Sequence, residues 1–140
     1  MNPLVSLARE LLSRAVRYAL IGVAGANHYA PDGSTVFVTE DHDLFLPPEP
    51  DNLVQCWAAC EAAGLLLWSQ DEPLDVPRDR WLAGRVIERR TLTRASGENL
   101  TVDLTLVMKG FDFETIWKER RLFSIEGVEV SVARLLHIVR

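Results

Sequence analysis

Residues 39–46 have the sequence TEDHDLFL, and this strand pattern with two aspartates is the main indication of both the fold and the candidate site. Along a β-strand the side chains alternate, so Asp41 and Asp43 share one face with about 7 Å between their Cα atoms, while His42 faces the other way. Two carboxylates this close repel each other unless a divalent cation lies between them, and their hard oxygen atoms suit Mg²⁺ or Mn²⁺. The stretch predicts a metal-binding strand, and an acidic turn at the solvent end of a strand stays open as the alternative.

A third carboxylate interrupts a second strand pattern, in residues 100–107 (LTVDLTLV). Val102 and Leu104 share the apolar face, and Asp103 lies on the opposite one. An isolated carboxylate is costly to bury on a packed strand, so Asp103 requires a partner. That partner is either the metal ion of Asp41 and Asp43 or one of the arginines that make up most of the basic residues.

Composition places the chain among ordinary globular proteins. Its 140 residues match the length of one domain, and 48% hydrophobic residues with a net charge of −5 exclude disorder. The apolar runs are far shorter than the roughly 20 residues that cross a bilayer, and charged residues near the N-terminus interrupt any secretory signal. We therefore expect a cytoplasmic protein without membrane contact. Cys56 and Cys60 lack zinc-ligand spacing and are predicted to be buried thiols.

Hydrophobic periodicity and turn residues predict the elements. Helices are expected over residues 3–17, 23–29, 51–63, 112–121 and 131–139, the last one capped by Ser131. Strands are expected over 18–21, 35–38, 41–46 and 65–68. Two hairpins are expected, one formed by 85–95 and 98–108 around Ser96-Gly97 and one by 122–125 and 128–130 around Glu126-Gly127. This order predicts a single domain over residues 1–140, of the α/β (α+β) class, with a mixed β-sheet and flanking helices.

Five segments together resemble the DNA polymerase β-like nucleotidyltransferase superfamily. They are residues 19–22 (ALIG), 39–44 (TEDHDL), 65–67 (LLL), 101–104 (TVDL) and 127–136 (GVEVSVARLL). The chain is most similar to the small stand-alone bacterial members related to the toxins of abortive-infection systems. The resemblance spans roughly residues 5–140 in order and spacing.

The resemblance implies a nucleotidyltransferase fold and a metal-dependent transfer. Asp41 and Asp43 would hold two Mg²⁺ or Mn²⁺ ions against a nucleoside triphosphate. Asp103 would complete the site, either as a ligand of the metal ion that lowers the pKa of the acceptor hydroxyl or as the group that takes its proton. Gly22 would let the backbone approach the triphosphate, and the N–H of Val23 would contribute to an anion site. A nucleoside monophosphate would pass to a hydroxyl of a small molecule, a protein or a tRNA, in a toxin–antitoxin setting with an antitoxin or a second copy as partner.

Three departures from the family pattern support a different interpretation. Val23 stands where the family has a second Gly or a Ser, and Phe37 stands where many small relatives have an Arg. Relatives usually continue beyond the last helix, so a chain that ends at Arg140 is expected to be shortened there. The alternatives are a catalytically lapsed member of the fold that acts as a binding or interaction module, and an unrelated α+β domain with salt-bridged aspartates.

Overall fold

The structure is a computed structural model that describes residues 2–21, 41–107 and 110–133, with residue 41 described by its backbone alone. In these ranges the helices are α1 (Pro3–Ser13), α2 (Pro50–Ala62), α3 (Arg80–Arg89) and α4 (Phe113–Lys118). The strands are β1 (Ala19–Ile21), β2 (Asp41–Phe45), β3 (Leu66–Ser69), β4 (Glu72–Pro73), β5 (Thr93–Ser96), β6 (Thr101–Thr105), β7 (Arg121–Ile125) and β8 (Val128–Val132). They form one mixed sheet in the order β4-β3-β5-β6-β2-β1-β8-β7, which confirms the predicted α+β class.

The two faces of the sheet are covered differently. The first face carries the larger core, in which Leu44, Val102 and Leu104 are fully buried together with apolar residues of α1, α2 and α3. We call this the helical face. On the second face, α4 packs Phe113 and Ile116 beside β1 and β2. No other described helix contributes to that second cluster, so we call this side of the sheet the open face.

Local sequence explains how α1 begins. The side chain of Asn2 accepts a hydrogen bond from the backbone N–H of Leu4 at 2.8 Å, and a proline occupies the first turn, where a missing N–H costs nothing. Leu4, Leu7 and Leu11 then recur at helical spacing and are buried against the sheet. The predicted helix over 3–17 is confirmed, although it ends at Ser13.

The predicted starts of two elements are wrong. Residues 85–89 belong to α3 and not to a hairpin strand, because Asp79 caps the helix by accepting from the N–H of Leu82 at 3.0 Å and the helix buries Leu82, Ala83 and Val86. Ser131 does not cap a helix, because it lies within β8 and its N–H donates to the Tyr18 hydroxyl at 3.2 Å. The segments predicted over 23–29, 35–38 and 134–139 lie outside the described residues.

Both cysteines are buried in α2, as predicted. The hydrogen bond with Cys60, together with burial, raises the pKa of the Cys56 thiol well above its usual range. Because both thiols are buried away from the reagent, and because the raised pKa keeps Cys56 from forming the reactive thiolate, we expect neither cysteine to be alkylated by iodoacetamide at mildly alkaline pH in the folded protein. Mass spectrometry should find no adduct before unfolding and two adducts after unfolding in urea. One rapid adduct on the folded protein would contradict this burial.

Burial also raises the pKa of Tyr18 to about 12, although the Ser131 hydrogen bonds partly oppose the shift. A raised folded-state pKa means that the stability is fully present below the usual tyrosine pKa of about 10 and is lost as the pH rises from there towards 12. We expect the free energy of unfolding to fall by about 1.4 kcal/mol per pH unit in this window. Urea unfolding of Tyr18→Phe should lack this component, and an equal alkaline loss in that variant would show that Tyr18 is not its source.

Candidate functional site

Two of the three predicted carboxylates are brought together by a parallel strand pair. β2 and β6 pair in parallel with Asp43 directly opposite Asp103, and neighbouring strands lie about 4.8 Å apart. The backbone of Asp41 takes the register position opposite Thr101. The expected alternation is confirmed in β6, where Val102 is buried and Asp103 is only half-buried.

The carboxylates are on the open face of the sheet. Phe45, which has the same parity in β2 as Asp43, packs in the open-face cluster with Phe113, whereas Leu44 packs in the helical-face core. His42 is only 3% exposed and has the parity of Leu44, which agrees with its predicted position on the other face. Asp43 and Asp103 therefore lie on the side of the sheet away from the main core.

Arg94 on β5 is the partner of Asp103. The two residues face each other in the antiparallel pair of β5 and β6, and the Nε of Arg94 donates to Oδ1 of Asp103 at 2.6 Å. The side chains are 45% and 28% exposed, respectively. An arginine partner was one of the two alternatives predicted for Asp103, and such a charge-assisted hydrogen bond holds the carboxylate in place.

These residues belong to one row that crosses five strands. Strand register aligns Trp68, Arg94, Asp103, Asp43 and Ile21 on neighbouring strands β3, β5, β6, β2 and β1. Side chains in such a row lie on one face and contact their neighbours. The row therefore runs from an indole through a cation to two carboxylates, and we call it the cross-strand row.

The donor set of the row suits a hard cation. Asp43 and Asp103 offer carboxylate oxygens, whereas the softer ligands among the described residues lie elsewhere, with His42 on the helical face and the cysteines inside α2. Among the side chains that the structure describes, no three His, Cys, Asp or Glu residues are close enough to hold a metal ion. The side chain of Asp41, and the predicted triphosphate contacts Gly22 and Val23, lie outside the described residues.

A separate cavity of about 230 Å³ lies near the start of β1. Its walls include Arg17, Tyr18, Trp117 and Arg120, and the Arg120 guanidinium lies 3.6 Å above the centre of the Trp117 ring. Arg17 is paired with two glutamates, and the hydrogen bonds to them raise the pKa of its guanidinium further above its usual range. Among the described residues that line this cavity, only Glu129 is a carboxylate, so it offers no paired carboxylates comparable with those of the cross-strand row.

Comparison with protein-family models and with the sequences of curated proteins found no match. None of the helices in the described ranges is long and apolar enough to cross a membrane. Two neighbouring carboxylates can share a divalent cation or accept a proton, and an adjacent arginine can neutralise one of them or bind an anion.

Proposed function

We propose that the protein is a Mg²⁺-dependent nucleotidyltransferase that transfers a nucleoside monophosphate from a nucleoside triphosphate to a hydroxyl group. The observation that carries this proposal is the register of Asp43 against Asp103 on the open face of two parallel strands. The sequence resemblance supports it, because it implies that the segments containing these two residues contribute to one site. A metal-binding strand next to a strand with a third carboxylate is what such a transfer requires.

Each side chain would have a separate task. Asp43, with Asp41, would hold the metal-bound triphosphate, and the metal would neutralise charge on the phosphates. Asp103 would bind the acceptor hydroxyl and take its proton as the new oxygen–phosphorus bond forms and the bond to pyrophosphate breaks. Arg94 would orient Asp103 through the 2.6 Å hydrogen bond until the acceptor arrives. The identity of the acceptor as a small molecule, protein or tRNA, and an antitoxin partner, rest on the resemblance alone.

A binding module that has lost catalysis is the second candidate. Arg94 forms an ion pair with Asp103, and Val23 and Phe37 replace residues that the resemblance would require for phosphate binding. Such a protein would keep its fold because ion pairing has replaced the metal. It would show no response to a nucleoside triphosphate.

Ligand binding separates the two candidates. Thermal unfolding and calorimetry with Mg²⁺ or Mn²⁺ and each of the four nucleoside triphosphates should show stabilisation, since a ligand at 100 times its Kd adds about 2.7 kcal/mol to the folded state. The control is Asp43→Asn, which keeps the shape of the side chain and removes its charge. Stabilisation that is lost in this variant supports the transferase. No stabilisation of the wild-type protein at millimolar ligand would reject it in favour of the binding module.

If a divalent cation binds beside Asp103, it should be able to replace the positive charge of Arg94 in stabilising the fold. Arg94→Gln leaves Asp43 and Asp103 without that neutralising charge, so we expect a loss of about 0.5–1 kcal/mol in the free energy of unfolding, discounted for the exposure of the pair. Mg²⁺ held at Asp43 should restore this loss, because its charge lies next to Asp103 and replaces the charge of the guanidinium. The measurement is urea unfolding with and without Mg²⁺ at constant ionic strength.

Arg78→Gln is the matched control for that experiment. Arg78 donates to Glu61 at 2.7 Å in another partly exposed ion pair, and Glu61 lies on α2, away from the cross-strand row. We expect a similar small loss in this variant, without recovery in Mg²⁺. Equal recovery of both variants would mean that Mg²⁺ acts on the protein surface in general, and the proposed exchange of Arg94 for a cation would then be wrong.

A further inference from the structure

The open face beyond Asp103 carries an apolar and cationic surface of which the proposed transfer uses only Arg94, to orient Asp103. It consists of Leu66 and Trp68 on β3 and of Arg94 and Ser96 on β5, and we call it the Trp68 surface. Leu66 is 66% exposed, although Leu67 next to it is 3% exposed in the helical-face core. Alternation along β3 therefore places Leu66 and Trp68 on the same face as the carboxylates.

The indole of Trp68 is held in a fixed orientation. Its Nε1–H donates to the hydroxyl of Ser96 at 2.9 Å, and register places Trp68 directly opposite Arg94. Trp68 is half-buried, and the hydrogen bond at its nitrogen restricts the rotation of its side chain. Binding a ligand on the ring therefore costs little side-chain conformational entropy. Such a ring is suited to stack a planar heterocycle.

We propose, on the basis of the proposed transferase function, that the Trp68 surface binds a nucleotide unit of the acceptor. The base stacks on Trp68, and the phosphate lies against the guanidinium of Arg94. The hydrogen bond from Nε to Asp103 orients this guanidinium, and its planar fork of N–H donors matches the geometry of a phosphate. A ring and a cation side by side fit a nucleotide better than a phenol or a sugar, which lack the anion.

The spacing of the cross-strand row agrees with this assignment. Trp68 and Asp103 are two strands apart, which corresponds to about 9.6 Å across the sheet. A base stacked at Trp68 would extend its sugar over Arg94 and bring a sugar hydroxyl towards Asp103. The triphosphate would then approach from the other side, over Asp43 on β2.

Binding of nucleoside monophosphates without a triphosphate tests this surface directly. The protein labelled with ¹⁵N is titrated with AMP and with UMP, and the indole N–H signals are followed, the signal of Trp68 being assigned from the spectrum of Trp68→Phe. We expect the Trp68 signal to move most. A base–aromatic stack contributes enough that Trp68→Ala should weaken AMP binding about tenfold or more, with Trp68→Phe between that variant and the wild type.

Trp81→Ala is the matched control. Trp81 is 68% exposed and has the Arg85 guanidinium 5.1 Å from its ring centre, but it lies on α3 and not on the open face. This variant should bind AMP as the wild type does. Equal AMP affinity of Trp68→Ala and the wild type, or a larger shift of the Trp68 signal with N-acetyltyrosinamide than with AMP, would overturn the nucleotide assignment.

The same variants separate this inference from the proposed function. Stabilisation by Mg²⁺ and a nucleoside triphosphate depends on Asp43, so Trp68→Ala should retain it. If that stabilisation is present and AMP leaves the Trp68 signal unchanged, the subsite is wrong and the transferase stands. If the stabilisation is missing in the wild-type protein, the transferase itself is wrong. Should Trp68→Ala fail to fold, the titration of the wild-type protein still decides.

Discussion

Trp57→Ala is expected to lower the free energy of unfolding by about 3–5 kcal/mol, because Trp57 is the largest fully buried side chain among the described residues. It is 1% exposed at the centre of the helical-face core. Its removal takes away the buried ring and leaves a cavity that the packed sheet can close only in part. Since small domains unfold at about 5–15 kcal/mol, this loss is a large part of the total stability.

Circular dichroism in urea measures this effect, because the substitution also changes tryptophan fluorescence. Trp57→Phe is the first control: it keeps a ring but loses the indole N–H that donates to the Thr93 hydroxyl at 3.4 Å, so its loss should be smaller. Trp81→Ala is the second control, since Trp81 is exposed and should cost less than about 1 kcal/mol. Equal losses at Trp57 and Trp81 would refute this account of the core.

The Trp57 contact also bears on the candidate site. Thr93, which accepts the indole hydrogen bond, is fully buried on β5, and the next residue is Arg94. The helical-face core therefore fixes the strand whose opposite face carries the partner of Asp103. Ala95 on the other side of Arg94 is also fully buried in this core, so core packing holds β5 on both sides of Arg94.

The sequence could predict the part of the site that depends on side-chain alternation along single strands. The patterns around Asp43 and Asp103 identified two strands and the face of Asp103, because side-chain alternation is a local property. Their register, Asp43 opposite Asp103, is a non-local property of the sheet. The resemblance implied only that Asp103 shares a site with Asp41 and Asp43, and the register itself comes from the structure.

The sequence did not identify the partner of Asp103, because the predicted position of one turn differs from the observed one. A two-residue turn at Ser96-Gly97 would place Arg90 opposite Asp103, whereas the observed turn spans residues 97–100 and places Arg94 there. The turn closes with the N–H of Gly97 donating to the carbonyl of Leu100 at 2.8 Å, and Leu100 is buried. Leu100 is buried by residues that are distant in sequence, and turn propensities, which describe local sequence only, cannot predict this burial.

The wrong strand over 85–89 has a related cause. β-branched and apolar residues there are compatible with a strand or a helix, and short apolar runs do not distinguish the two. Two interactions favour the helix over a strand: Asp79 caps its N-terminus, and α3 packs on α2. A search for capping residues upstream of Trp81 would have found this signal.

Asp103→Asn is expected to lower the rate of nucleotide transfer by about 10²–10⁴-fold while Mg²⁺ and a nucleoside triphosphate still stabilise the protein. In the proposed function Asp103 acts on the acceptor hydroxyl, whereas Asp43 holds the metal-bound triphosphate. Asp43→Asn should therefore lose both the stabilisation and the transfer. Thermal unfolding gives the first quantity, and release of pyrophosphate with a nucleotide acceptor gives the second.

Glu98→Gln is the matched control, because it removes one negative charge from the exposed turn of the same hairpin without touching the cross-strand row. Its binding and transfer should equal those of the wild type. Loss of transfer in this variant as well would point to net charge and not to the position of the carboxylate. The difference between Asp43→Asn and Asp103→Asn is the decisive comparison, because an ion-paired structural cluster would not divide binding and transfer between two carboxylates on neighbouring strands. A metal-dependent transferase would do so, since one carboxylate serves the triphosphate and the other the acceptor.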